Sequence, residues 1–234
     1  MNALSFSLLF AAAGVALIHT LLGPDHYLPF IMLARARRWS MRRTAFITAL
    51  CGLGHVGSSL LLGSIGIAMG LAMGQVEQLE TSRGSLAAWG LVAFGAAYAA
   101  WGIRKGIRRV RGLETHSHGG HVHLHRGGTS DHSHDEVTRG DNITFWTLFA
   151  IFILGPCEPL IPLFILPASR GDWALAAATA GLFGIVTVAT MTGVTLLGLK
   201  GLQPKIFAPW ARWDHALAGS VIASSGMTIL FLGL

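Results

Sequence analysis

Apolar stretches of about twenty or more residues recur along the whole chain, and no other feature restricts its fold as strongly. A helix needs a run of that length to cross the roughly 30 Å hydrocarbon core of a bilayer. There every backbone polar group has to be satisfied within the protein. By hydropathy the runs fall at 4–34, 44–74, 84–103, 143–167, 173–199 and 213–234. Only 12% of the 234 residues are charged and 52% are hydrophobic, against roughly 25% charged in soluble domains. Mean hydropathy is +0.57. The expectation is an all-α integral membrane protein with six transmembrane helices and the lipid bilayer as its partner. No basic stretch precedes the first run, which is longer than a secretory leader's apolar core, so it is read as a retained helix. The net charge of +6 then reports which loops face the cytoplasm, and no nucleic-acid partner is expected.

Orientation follows from lysine and arginine. The segment after the first run carries Arg35, Arg37, Arg38, Arg42 and Arg43. Seven basic residues, from Arg104 to Arg139, follow the third, and Lys200, Lys205 and Arg212 follow the fifth. That is fifteen in all, against Arg83 after the second run and Arg170 after the fourth. Positive-inside then puts loops one, three and five in the cytoplasm and both termini outside. The expected location is a bacterial-type inner membrane.

The chain also repeats itself. AAAGVALIHTLLGPDHYLPFIMLA at 11–34 resembles ITFWTLFAIFILGPCEPLIPLFIL at 143–166. Gly23-Pro24 aligns with Gly155-Pro156 at an offset of 132, which sets Asp25-His26 against Cys157-Glu158, and Gly52 and His55 against Gly184 and Thr187. An odd number of spans in each half would invert the second half. The expected plan is therefore 3+3 inverted repeats with broken first and fourth helices: residues 1–103, a hydrophilic loop 104–141, and residues 142–234. That plan recurs in secondary transporters.

Proline removes a backbone donor and clashes with the preceding turn, so each Gly-Pro should break its helix. Irregular backbone at membrane depth is tolerated beside a cavity or packed protein. Proline suits the first turn of the half-helix that follows. Asp25, His26 and Glu158 then sit in first turns, where the helix dipole favours a carboxylate. Two carboxylates near mid-membrane, with no intramembrane lysine or arginine read beside them, ask for a cation. The titratable residues inside the spans are His19, His26, His55, His215, Asp25, Glu158 and Asp214, with thiols at Cys51 and Cys157. Imidazole, carboxylate and thiolate together suit nickel, cobalt, zinc or copper rather than magnesium or calcium. His19, Asp25, His26, His55, Cys157 and Glu158 are the expected metal ligands. Thr187, Asp214 and His215 form a second rank, Thr187 as the repeat partner of His55 and Asp214-His215 as either site members or an interfacial helix cap. Cys51 reads as a packing residue.

Between the halves, THSHGGHVHLHRGGTSDHSHDE carries His116, His118, His121, His123, His125, His132 and His134. The segment shows no apolar periodicity and is expected to be disordered and to bind transition metals loosely.

His19-x5-Asp25-His26 resembles the His and Asp-His signature of the nickel/cobalt permeases and UreH-like proteins, with one residue more than the usual spacing. A histidine-rich loop between two halves is similar to that of the nickel/cobalt efflux proteins. Gly155-Pro156-Cys157-Glu158-Pro159 is similar to the Pro-Cys-x-x-Pro breaks of CcdA/DsbD-type membrane proteins. The resemblance implies a non-enzymatic transporter of a divalent transition-metal ion, nickel or cobalt first and zinc second, with no prosthetic group. The histidine tract favours export by collecting ions on the cytoplasmic side. Two alternatives stay open: a TauE-like exporter of small sulfur-containing anions, and a CcdA-like thiol or electron carrier. The oligomeric state is also open. No Gly-x-x-x-x-Gly-Lys nucleotide loop is present.

Overall fold

A computed structural model of the chain describes residues 3–110, 114–118, 121–125, 134–201 and 212–232. The described chain is predominantly helical. Four of its helices are long and apolar enough to cross a membrane: Ser5–Leu22, Met41–Ala68, Met73–Arg108 and Trp173–Gly201. Two shorter apolar helices, Ile143–Leu154 and Leu160–Ser169, flank the second Gly-Pro.

Helix α1 (Ala3–Leu22) stops at Gly23, and a single 3-10 turn, Pro24–His26, leads into α2 (Leu28–Ala36). Proline occupies the first turn of both new segments, where the missing N–H costs nothing. The end of α2 is closed by a left-handed residue, Arg38, with φ 54°. Arg38 N donates to Arg35 O (3.1 Å) and Trp39 N to Ala34 O (2.8 Å), the paired bonds of a Schellman cap. Ser40 then caps α3 (Met41–Ala68) by accepting from Arg43 N.

Gly70, at φ 67°, closes α3 with the same pair of bonds, to Ile67 O and from Leu71 N to Gly66 O. The chain turns directly into α4 (Met73–Val110). At 38 residues, α4 is about 57 Å long, more than a bilayer core. It begins well before the span read from hydropathy, so Arg83 lies within a helix and not in a loop.

After α4, β1 (Glu114–His118) and β2 (His121–His125) pair antiparallel, with His116 opposite His123 and His118 opposite His121. The sequence reading expects no regular structure in this tract. Thr115, Ser117, Val122 and Leu124 alternate with the histidines around Gly119-Gly120, which is a hairpin pattern. His134 is the first residue of α5 (His134–Leu154), and His132 lies outside the described residues.

The second break separates α5 from α6 (Leu160–Ser169). Gly171, at φ 79°, closes α6 through Gly171 N to Ala168 O and Asp172 N to Pro167 O. Asp172 Oδ1 accepts from Leu175 N at the head of α7 (Trp173–Gly201). The last described helix is α8 (Asp214–Leu232).

The packing pairs α1 with α7, α3 with α5 and α7, α2 with α8, and α4 with α6. The most extensive contact joins α4 to α8, and glycines at heptad spacing make it. A Cβ at Gly95 would lie 2.7 Å from Gly219 O, one at Gly102 2.6 Å from the carbonyl carbon of His215, and one at Gly226 2.6 Å from Ala88 O. Small residues let membrane helices approach this closely. The core divides into two clusters. One is built on Phe30, Leu33, Leu148, Met191 and Ile222, and the other on Leu160, Phe164, Ala176 and Phe183.

Candidate metal centre

The two breaks and the middle of α3 meet at one place. His19 lies in the last turn of α1, His26 closes the 3-10 turn, His55 projects from α3, and Cys157 follows the second Gly-Pro. One ligand atom each from His19, His55 and Cys157 lie within 4.8 Å of one another. The His26 ring stands edge-on between the other two imidazoles, with centroids 4.8 Å from His19 and 5.1 Å from His55. His26, His55 and Cys157 are buried.

One hydrogen bond and one ion-pair contact set the tautomer of His26. His26 Nδ1 lies 3.1 Å from Gly23 O and 3.3 Å from Asp25 Oδ1. Both are acceptors, so Nδ1 carries the proton and Nε2 presents its lone pair. A carboxylate behind a histidine is the usual outer support of a metal ligand. His26 Nε2, His19 Nε2 and both ring nitrogens of His55 are buried without a hydrogen-bond partner among the described residues. Buried polar atoms are nearly always paired, so these imidazole nitrogens beside a buried thiol form a donor set that could hold a cation. Metal–N and metal–S bonds of roughly 2.0–2.3 Å would require only a modest closing of this cluster.

The rings crowd the glycine at each break, at Gly23 far more than at Gly155. A Cβ at Gly23 would run into His26 Nδ1, and one at Gly155 would lie 3.1 Å from His55 Nδ1.

A cavity of about 580 Å³ adjoins the cluster and is lined by His19, Asp25, His26, His55, Thr81 and Glu158, among others. Glu158 is exposed, and its Oε1 accepts from Thr81 Oγ1 at 2.9 Å. It stands at the cavity rim, apart from the buried trio.

The second-rank residues lie elsewhere. Thr187 is buried on α7, its hydroxyl without a partner among the described residues, and it lines neither the cavity nor the trio. Asp214 and His215 belong to a separate polar network at the head of α8. Asp214 lies 3.7 Å from Arg35, and His215 contacts Tyr98 Oη (2.9 Å) and Lys105 Nζ (3.3 Å). Arg37 Nε also donates to Tyr98 Oη (3.2 Å). Both residues therefore sit in this network at the start of α8, outside the trio. Cys51 packs in the first apolar cluster and Cys157 in the second, both as free thiols.

Sequence reasoning missed Glu80, Arg83 and Ser59. Glu80 is fully buried and ion-paired with Arg83, which corrects the expectation that no intramembrane cation is present. The i, i+3 spacing of Glu80 and Arg83 marks a pair on one helix face. It would have moved the start of α4 earlier had it been weighed against the loop reading.

No family model, curated protein or solved structure matches this chain.

Proposed function

We propose that the protein is a membrane transporter of a divalent transition-metal ion, nickel or cobalt ahead of zinc. The observation that carries this reading is the gathering of His19, His55 and Cys157, with the His26 ring packed between the two imidazoles, where the two helix breaks meet α3. Glu80 is neutralised by Arg83, which leaves Asp25 and Glu158 as the anions of the cavity, a balance that favours a cation and opposes the sulfur-anion alternative. The thiol-carrier alternative gains nothing, because Cys51 and Cys157 sit in different clusters.

A 3+3 inverted repeat supports a transport role. Each half contains a helix broken at Gly-Pro, a short helix closed by a Schellman cap at Arg38 or Gly171, and a long helix capped by Ser40 or Asp172. The packing also respects the exchange, α1 against α7 answering α5 against α3. Alternating access would rock one half against the other around the breaks. Export from the cytoplasm is the favoured direction.

Purified protein in liposomes should carry Ni2+, Co2+ or Zn2+ down a gradient and leave sulfite untouched. His55→Ala should abolish the metal flux. Sulfite flux without metal flux would sink the reading.

A further inference from the structure

The second helix break is held from outside, and we propose that Glu80 and Arg83 are positioning residues that fix Cys157 in the site. Breaking the helix at Gly155-Pro156 frees backbone groups on both sides. The freed N–H of Cys157 donates to Ser59 Oγ (3.0 Å) and to Glu80 Oε2 (3.2 Å), while the Ser59 hydroxyl itself donates to Glu80 Oε2 (2.8 Å). On the other side, Arg83 NH2 donates to the freed carbonyl of Ile153 (2.6 Å) and to Ser58 Oγ (2.8 Å), and NH1 pairs with Glu80 Oε1. Ser58 in turn donates to His55 O (2.9 Å).

One ion pair on α4 therefore spans the break and ties it to the turn of α3 that follows His55. It holds the backbone of Cys157, one of the three clustered donors, and through Ser58 reaches the backbone carbonyl of His55. The first break does without such help, since its own residues serve it: Tyr27 Oη donates to Leu21 O (3.3 Å) and His26 Nδ1 to Gly23 O (3.1 Å). Burying a carboxylate and a guanidinium inside a membrane protein is costly unless every atom is used. Here the pair's buried atoms serve two orphaned backbone groups and two serines. The task demands arginine, because a lysine ammonium has no fork to reach Glu80, Ser58 and Ile153 at once.

The metal part of this inference rests on the proposed transport site, but the positioning part does not, and the test separates them. In a Cys51→Ala background Cys157 is the remaining thiol, since the chain has two cysteines. The full chain in lipid nanodiscs would be treated with a membrane-permeant methanethiosulfonate without metal, and separately titrated with Co2+. The thiolate-to-cobalt absorption band reports Cys157, and the ligand-field bands report binding itself. In Arg83→Lys and in Glu80→Gln/Arg83→Gln, thiol modification should accelerate by about tenfold or more as the break loosens. The thiolate band should fade while ligand-field bands persist. Arg83→Lys retains a paired charge and so guards against simple failure to fold. Thiol modification at the parental rate in folded Arg83→Lys overturns the positioning role, even where thermal stability falls. Faster modification in a protein whose parent binds no Co2+ upholds the clamp and overturns the metal reading instead.

Discussion

Asp25 and Glu158 each follow a Gly-Pro break, by one residue and by two, yet their surroundings give them different work. Asp25 Oδ1 lies 3.3 Å from His26 Nδ1 and orients that ring, whereas Glu158 is exposed at the rim with Thr81. Asp25→Asn keeps the shape but removes the charge that holds the tautomer. Its Co2+ affinity, measured by calorimetric titration, should fall by about 10–100-fold, the usual cost of losing such a support. Glu158→Gln should leave the equilibrium affinity within about threefold and slow metal entry, which stopped-flow mixing would read, because a rim charge acts mainly on the association rate. Equal losses for the two variants would show that both carboxylates ligate directly. This division was not legible in the sequence. The sequence places each carboxylate in the turn after a Gly-Pro, and the packing of His26 beside Asp25 and of Thr81 beside Glu158 is what separates them.

At the scale of elements, the breaks were legible because Gly-Pro inside an apolar run frees backbone groups that a continuous helix would pair. The start of α4 was not. Glu77, Glu80 and Arg83 look like loop residues to a hydropathy window, whereas in the fold Glu80 and Arg83 bond Ser59 and Ser58 of α3. The α4–α8 seam was missed for a related reason, since glycine is common in membrane helices and its spacing is silent until the partner helix is known. That seam has a direct test. A Cβ at Gly219 would lie 2.6 Å from both Ala99 Cα and Gly95 O, backbone atoms that cannot rotate away. Gly219→Val should force the two helices apart and lower stability by about 1–3 kcal/mol, the usual cost of overpacking, seen as a lower thermal midpoint in detergent. Gly193→Val, on α7 with nothing within 4 Å of its added Cβ, should change the midpoint little.

For the whole molecule, the decisive question is which end faces the cytoplasm. Arg35 pairs with Asp214, Arg37 bonds Tyr98, and Lys105 bonds His215. These contacts draw the end of α2, the C-terminal half of α4 and the head of α8 to one end of the bundle, so basic segments far apart in sequence share one end in space. The Gly70 turn between α3 and α4 lies at the other end of both helices, away from Ser40 and Arg104. With Arg83 now inside α4, the loop between α3 and α4 carries no lysine or arginine, and the charge asymmetry that positive-inside reads becomes steeper. The cavity lining includes Thr81, in the N-terminal part of α4, and Leu230, near the end of α8, both on the Gly70 side. In intact cells, a membrane-impermeant thiol reagent should therefore modify a cysteine placed at Leu71 and spare one placed at Gly120, with both native cysteines replaced. After the membrane is permeabilised, Gly120→Cys should react as well. Modification of Gly120→Cys but not Leu71→Cys in intact cells would reverse the orientation. It would place the rim carboxylate Glu158 on the cytoplasmic side and turn the favoured direction of transport around, since the histidine tract would then face away from the cell's own metal pool.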